Sequence, residues 1–172
     1  MTCIAAINLK DRVVIASDSQ VNAVQGGKTF PANFSKLIEF PNFIIGFSGE
    51  AIAWHVLQGY KASASIRKRR FKTSQEVYIF FRKFYLDLYK LIDKGIELTK
   101  EANELILITK DKIFLINESL VEECEIMATC GSGADIATGS LARVPDPELA
   151  VAEAIKRRSD CGGDIHTKEL IR

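Results

Sequence analysis

The first residues of the chain place a hydroxyl side chain directly after the initiator methionine. The chain begins Met1-Thr2-Cys3, and the apolar run that follows is typical of a β-strand. If Met1 is removed, Thr2 carries both a hydroxyl group and a free α-amine. An α-amine titrates at about 7.7–8.0 and can take the proton from the hydroxyl, which is a poor nucleophile until it is deprotonated. Thr2 is therefore a candidate nucleophile for covalent hydrolysis, provided that Met1 is lost.

Three further polar positions lie at the ends of apolar runs. Asp18 follows the run Val13–Ser17, Lys36 opens the run that ends at Phe40, and Ser132 lies between Gly131 and Gly133 after another apolar run. Each has an ordinary interpretation, as a turn residue, a solvated strand residue or a loop residue. A glycine-serine turn before a helix is also compatible with phosphate binding. The local sequence around any one of them does not decide between these roles.

Composition excludes several classes of protein. The 172 residues include 23 basic and 22 acidic side chains, for a net charge of +1, so the overall charge favours neither a nucleic acid nor an anionic membrane as partner. Four scattered cysteines without a C-x-x-C pair, and two histidines without ligand spacing, argue against a metal site or cofactor. The sequence shows neither a signal-peptide pattern nor an apolar run of about 18 residues. We expect a cytosolic protein with reduced thiols, built as one domain over residues 1–172.

The elements that must position these residues follow from periodicity and turn signals. Alternation and β-branched residues predict two hairpins, formed by Cys3–Leu9 with Val13–Ser17 and by Lys36–Phe40 with Phe43–Phe47. Between them lies a polar segment with Gly26, Gly27 and Pro31. Helical spacing begins at Glu50 and stops before Phe71, and a second, aromatic-rich helix is predicted from Ser74 to a C-cap at Gly95.

The second half of the chain repeats this order. It is predicted to contain three strands and then two helices, at Leu105–Thr109, Ile113–Asn117, Glu125–Thr129, Ala134–Leu141 and Pro147–Arg158. Strands, two helices, strands and two helices fit an α+β fold in which two antiparallel sheets stack face to face and carry helices on both outer faces. We therefore predict a four-layer αββα sandwich. The tail after Gly163 is left unassigned.

Taken in order, these motifs resemble the proteasome β-subunit and HslV peptidase family of N-terminal nucleophile hydrolases. The family pattern is an N-terminal threonine, a hairpin ending in Ala-x-Asp, here Ala16-Ser17-Asp18, and a lysine at the start of the next strand, here Lys36. Ile44–Gly49 is similar to the family's apolar strand and glycine turn, and Gly131-Ser132-Gly133 to its later Gly-Ser-Gly. The short start also looks like the bacterial and phage members. The specific signal is the order of the four motifs.

The resemblance implies a role for each matched residue. Thr2 would attack a peptide carbonyl with its own amine as base, and Lys36 would keep that amine neutral, since a nearby like charge lowers the pKa of an amine. Asp18 would pair with Lys36 and keep it charged. Ser132 would hydrogen-bond near the amine, and the backbone N–H of Gly46 is the candidate oxyanion donor. The expected activity is that of a threonine peptidase acting on polypeptides, in a homo-oligomeric ring that an ATPase unfoldase would feed.

Two departures from the family pattern matter. The sequence carries no recognisable propeptide, so exposure of Thr2 is expected to depend on methionine removal. The segment Ser159–Asp164 only loosely matches the family's final active-site loop, where an aspartate and a serine are expected; Asp160 and Ser159 are available for these places.

Other readings of the same residues stay open. Cys3 would be the nucleophile only if Thr2 were removed as well, and alternation along a strand points it away from Thr2. The chain could instead be a non-catalytic subunit of a proteasome-like shell, or an amidohydrolase or peptide ligase with the same nucleophile. The basic run Arg67–Lys72 could bind nucleic acid or an acidic protein face, although a solvated turn between two helices is the simpler interpretation.

Overall fold

A computed structural model describes residues 2–22, 29–30, 34–92 and 103–172 of the chain. The described strands are β1 (Ile4–Asn8), β2 (Arg12–Asp18), β3 (Val21–Asn22), β4 (Thr29–Phe30), β5 (Leu37–Glu39), β6 (Ile44–Ser48), β7 (Glu104–Ile108), β8 (Ile113–Ile116), β9 (Val121–Cys124), β10 (Met127–Cys130) and β11 (Ile165–Ile171). The described helices are α1 (Ala51–Tyr60), α2 (Ala64–Arg67), α3 (Ser74–Ile92), α4 (Ala134–Leu141) and α5 (Pro147–Arg157). Within this part of the chain, no helix is both long and apolar enough to cross a membrane.

Two antiparallel sheets form the centre of the molecule. The four-stranded sheet has the order β10-β1-β2-β11, and the five-stranded sheet has the order β5-β6-β7-β8-β9. In the first sheet β1 pairs with β2 through Ile4↔Ser17 and with β10 through Ile4↔Cys130. The start of β1, the end of β2 and the end of β10 therefore lie at the same edge of this sheet.

Three separate hydrophobic cores define four layers. One core lies between the two sheets and includes Ile4, Ile15, Ile44 and Ile106. A second packs α1 and α3 on the five-stranded sheet, and a third packs α4 and α5 on the four-stranded sheet. Because both faces of the central strands are buried, these strands are apolar on both sides. The predicted four-layer αββα sandwich is confirmed.

Alternation along β1 shows how one strand serves two cores. Ile4 and Ala6 face the core between the sheets, whereas Cys3, Ala5 and Ile7 face α4 and α5. This is the period-two arrangement of a strand buried on both sides. It places the side chain of Cys3 in the helix-facing core, as the alternation argument predicted.

The structure corrects the predicted elements at several points. Four described strands were missed. The short strands β3 and β4 pair with each other, β9 forms the edge of the five-stranded sheet, and β11 in the unassigned tail pairs along the whole of β2. The segment expected to end the first helix contains a short further helix, α2. The predicted C-cap at Gly95 and the polar segment with Gly26, Gly27 and Pro31 lie outside the described residues.

Candidate active site

Thr2 lies just before β1 and is held by the loop that follows β10. Its side chain and backbone are largely buried, with 4% of the residue exposed. The backbone N–H of Thr2 donates to Ser132 Oγ at 3.2 Å, and Ser132 Oγ in turn donates to the Thr2 carbonyl at 3.3 Å. The N–H of Gly133 also donates to that carbonyl at 3.2 Å. Ser132 is therefore placed against the nitrogen that would become the α-amine.

Asp18 and Lys36 form a buried ion pair that bonds to the backbone of Cys3, the residue after Thr2. Lys36 Nζ lies 2.7 Å from Asp18 Oδ1, and the two side chains are 4% and 0% exposed. Asp18 Oδ1 also accepts the backbone N–H of Cys3 at 2.8 Å, and Oδ2 accepts that of Gly162 at 3.1 Å. A buried carboxylate is tolerated when it has a cation and several hydrogen bonds. Asp18 has both, and its bond to Cys3 fixes the backbone beside Thr2.

The ionisation of Lys36 reflects two opposing influences. Burial lowers the pKa of Lys36 below its ordinary value, because the ammonium loses hydration, and the charge and hydrogen bond of Asp18 act against this loss. Without Asp18 the lowering would be larger. The carboxylate therefore favours the ammonium form of Lys36 against the effect of burial.

Gly131 permits the loop to pass close to Thr2. Its φ is +87°, in the region that favours glycine, and an added Cβ would lie 2.3 Å from the Thr2 carbonyl oxygen and 3.0 Å from Ser48 Oγ. The Gly131 N–H donates to Glu104 Oε2 at 2.9 Å. Glu104 was not identified from the sequence, because an acidic residue at the start of a strand carries no signal of a contact across 27 residues.

The loop after α5 also reaches the site. Gly162 donates to Asp18, and Cys161 Sγ lies 3.8 Å from Ser132 Oγ. Burial raises the pKa of Asp160, but hydrogen bonds from Ser132 and Arg158 outweigh this effect and leave the pKa below its ordinary value. Asp160 thus lies beside Ser132, whereas Ser159 is exposed and contributes its backbone carbonyl to Gln20. Of the two residues named for this loop, Asp160 is the one near the predicted site.

Gly46 occupies the interior of β6, paired with Leu37 on one side and Ile106 on the other. An added Cβ there would lie 2.9 Å from side-chain atoms of Ile4 and Ile15 in the facing sheet. The close packing of the two sheets therefore explains why a glycine stands at this position. Gly49 lies outside the strand: it follows Ser48, the last residue of β6, and its φ is +151°.

The cysteine alternatives find little support in the surroundings of the thiols. Cys3 is fully buried, and burial is the main reason that its pKa lies well above the ordinary value. Burial likewise raises the pKa of Cys130 and Cys161. A raised pKa favours the thiol over the reactive thiolate. These cysteines are better described as small packing residues.

Comparisons with known proteins extend these observations. No protein-family model matches the chain, and no curated protein matches it. Among solved structures, it is similar to Thiobacillus denitrificans BPH in complex with epoxomicin, at 18% identity and a TM-score of 0.78 over 98% of both chains. A second BPH structure matches at 17% identity and a TM-score of 0.79, over 98% of this chain and 97% of that one.

A eukaryotic HslV from Trypanosoma brucei is also similar, at 14% identity and a TM-score of 0.68 over 99% of each chain. The chain has the fold of BPH and HslV. The resemblance seen in four ordered sequence motifs is thus confirmed at the level of the fold. At these identities, the similarity shows the fold of this chain and leaves its activity to its own residues.

Proposed function

We propose that the protein is a threonine-type peptidase in which Thr2, freed by removal of Met1, is the nucleophile. The proposal is carried by one observation: Ser132 accepts the Thr2 N–H, and Asp18, paired with Lys36, accepts the N–H of the next residue, Cys3, so that four residues distant in sequence meet at the start of β1. A buried ion pair is weak evidence for added stability, because desolvation of the two charges offsets their attraction. The bond from Asp18 to the Cys3 N–H places this pair one residue from the potential α-amine of Thr2, where its charges could influence the pKa of that amine.

In the proposed mechanism Thr2 Oγ attacks the carbonyl carbon of a peptide bond. The Thr2 α-amine accepts the hydroxyl proton and then returns it to the leaving amine, so that an acyl ester forms on Oγ. Ser132, which lies 3.2 Å from this nitrogen, orients the amine during both transfers. Water, with the amine again as base, then attacks the ester and regenerates Thr2.

The buried pair sets the protonation state of the amine. An ammonium on Lys36 close to the amine disfavours a second positive charge and lowers the pKa of the amine towards neutral pH. Asp18 keeps Lys36 in place and favours its charged form. The pair therefore acts through the amine, and Lys36 and Asp18 are positioning and tuning residues for Thr2.

Gly49 replaces Gly46 as our candidate for the oxyanion donor. The amide of Gly46 belongs to a strand paired on both sides, whereas Gly49 lies beyond Ser48↔Glu104, the last pair between β6 and β7. Ser48 Oγ and the Thr2 carbonyl both border the space that Gly131 leaves open. The N–H of Gly49, one residue after Ser48, is thus a candidate backbone donor outside the pairing of β6 with β7.

The comparisons support this proposal through the BPH complex, since epoxomicin is bound by a protein of the same fold. A homo-oligomeric ring, an ATPase partner and a cytosolic location stay predictions from the resemblance. Size-exclusion chromatography with light scattering measures the assembly directly.

The decisive experiment measures the N-terminus and its reactivity together. Intact mass of the purified full chain should show loss of one methionine, and a peptide epoxyketone should add once to the protein. Thr2→Ala should abolish labelling, whereas Thr2→Ser, which keeps both the hydroxyl and the amine, should retain it. Retained Met1 in a labelled protein, or labelling that survives Thr2→Ala, would contradict the proposal.

Lys36→Ala tests the tuning role. It should reduce peptide turnover by at least about a hundredfold, a loss that corresponds to about 2.7 kcal/mol of transition-state stabilisation. Lys112→Ala is the matched control, because Lys112 forms a comparable ion pair with Glu123 at 2.6 Å on the surface. Circular dichroism should show both variants folded, and normal turnover in folded Lys36→Ala would rule out the role.

A further inference from the structure

A trough lined by basic residues lies on the surface between the β5–β6 turn and the segment that joins α1 to α3. It consists of three adjoining depressions: the first and second share Pro41 and Arg67, and the second and third share Asn42 and Arg70. The basic residues that line this basic trough are Lys61, Arg67, Lys68, Arg70, Lys72 and Lys110. The shared residues make the depressions one continuous, elongated surface.

The positive charge of the basic trough is available to a partner. All six basic residues are exposed, and within the described ranges none of them forms an ion pair with an acidic side chain. Two acidic residues line the ends of the trough, but Glu39 pairs with Lys168 at 2.9 Å and Asp111 with Arg172 at 3.5 Å. These two carboxylates are therefore engaged outside the trough, and Glu76, which accepts the backbone N–H of Lys72 at 2.6 Å, is the acidic side chain beside that end of it.

Packing, rather than these charges, holds the basic segment in place. The guanidinium of Arg69 lies 5.8 Å from the ring centre of Phe71 and 5.4 Å from that of Phe80, and Asn42 Nδ2 donates to the Arg69 carbonyl at 3.1 Å. Arg69 thus faces inward while its neighbours Lys68 and Arg70 face solvent. The charges of Lys68 and Arg70 take no part in this packing, so packing does not account for basic residues at these two positions.

The basic trough is separate from the candidate active site. It borders the Pro41-Asn42 turn at the start of β6, whereas Ser48, at the other end of that strand, lies near Thr2. A strand of this length spans about 17 Å. A ligand in the trough would therefore bind without occupying the region around Thr2.

We propose that the basic trough binds an extended acidic segment of another protein. Arginine presents paired donors that match a carboxylate, and Arg67 and Arg70 stand where adjoining depressions meet. Single-stranded nucleic acid binding uses exposed aromatic rings for stacking. Here Phe71 is only 4% exposed, and Tyr60 is half-buried with its hydroxyl bound to Asp87. An apolar lining from Phe40, Pro41 and Ala64 suits a polypeptide with mixed side chains.

Fluorescence anisotropy with a labelled polyglutamate peptide tests this surface. A peptide of about ten residues spans about 33 Å when extended, enough to reach along several depressions. The full chain should bind it, with affinity that falls as salt rises. The double variant Arg67→Glu/Arg70→Glu should lose at least about tenfold in affinity, since every tenfold in Kd is about 1.4 kcal/mol.

The matched control carries the same charge change elsewhere. Lys156→Glu/Arg157→Glu alters two exposed residues of α5, and its affinity for polyglutamate should stay within about twofold of the unaltered chain. Equal losses in both double variants would show only an effect of net charge and would overturn the proposal. So would absence of peptide binding, or tighter binding of a deoxythymidine oligonucleotide of equal charge that is lost in Arg67→Glu/Arg70→Glu.

Discussion

The two helix layers cover their sheets with side chains of very different size. The core beneath α1 and α3 is aromatic, with buried Phe40, Phe43, Phe47, Phe71, Phe80, Phe81, Phe84 and Tyr85. The core beneath α4 and α5 consists mainly of small residues, with Cys3, Ala5, Ala16, Ala137, Ala150 and Ala154. We call these the aromatic layer and the small-residue layer.

The difference indicates separate tasks for the two layers. Large rings bury much apolar area and contribute strongly to stability. Small side chains contribute less but let backbones approach closely, and the loop from Gly131 to Gly133 that leads into α4 lies within hydrogen-bond distance of Thr2. The aromatic layer should therefore determine stability, whereas the small-residue layer should determine the geometry of the site.

The largest expected effect is on stability, from Phe80→Ala in the aromatic layer. Phe80 is 1% exposed and contacts the rings of Phe43, Phe71 and Phe81. Its truncation should lower the free energy of unfolding by about 3–5 kcal/mol. Chemical denaturation measures this loss, and epoxyketone labelling of the remaining folded protein should be unchanged. Slower labelling of the folded Phe80→Ala protein would contradict the separation of stability and site geometry between the two layers.

Gly133→Ala tests the small-residue layer with a smaller effect on stability. An added Cβ would lie 2.8 Å from Cys3 Cβ and 3.0 Å from both Ala154 Cβ and Cys161 Sγ. Overpacking of this kind costs about 1–3 kcal/mol. The backbone of residue 133 must move to relieve these contacts. Because its N–H donates to the Thr2 carbonyl, this movement should displace Thr2 and slow epoxyketone labelling at least tenfold.

Gly139→Ala is the matched control in the same layer. Gly139 lies in α4, and an added Cβ there meets nothing within 4 Å. Alanine is favoured over glycine inside a helix by about 0.5–1 kcal/mol, so this variant should be slightly more stable and label normally. Slow labelling in both variants would mean that the site is sensitive to any change in α4.

The elements that the sequence could predict are those with a clear local pattern. Strands buried on both faces are long apolar runs with clear turns, and α3 has a regular aromatic stripe, so these elements were found. Thr2, Asp18, Lys36 and Ser132 were identified because each stands at the end of such an element and because their order resembles a family. Strand pairing through Ile4↔Ser17 and Ile4↔Cys130 brings Thr2, Asp18 and Ser132 to one edge of the four-stranded sheet, and Lys36 reaches Asp18 from the other sheet through its ion pair.

The missed features depend on contacts that leave no local pattern. β11 is half exposed and polar, and it is defined by its pairing with β2 rather than by its own alternation. Glu104 reaches the loop after β10 through a single side-chain contact from a distant segment. Gly46 was predicted as a donor because a glycine at a strand end was expected there. Its location inside β6 and its contact with Ile4 and Ile15 show a packing reason instead.

The smallest expected effect concerns Asp87, which links α1 to α3 on the outside of the aromatic layer. Hydrogen bonds from Lys83 and then Tyr60 lower the pKa of Asp87 to about 2. A lowered carboxylate pKa stabilises the folded state above the unfolded value of about 3.9, and this stabilisation is lost as the pH falls through 2. Because the side chain is 28% exposed, Asp87→Asn should cost no more than about 1 kcal/mol at pH 7.

Denaturation at pH 7 and pH 2 checks both the size and the sign of this effect, because the difference between Asp87→Asn and the unaltered chain should shrink at pH 2. Glu153→Gln in α5 provides the comparison. Its pKa is also lowered, by Lys156 and Arg157, but it forms no bond to a helix across the layer within the described residues. Glu153→Gln should therefore change stability less than Asp87→Asn does. An equal loss of stability in both variants would show that the hydrogen bond from Tyr60 in α1 to Asp87 in α3 does not contribute to the free energy of unfolding.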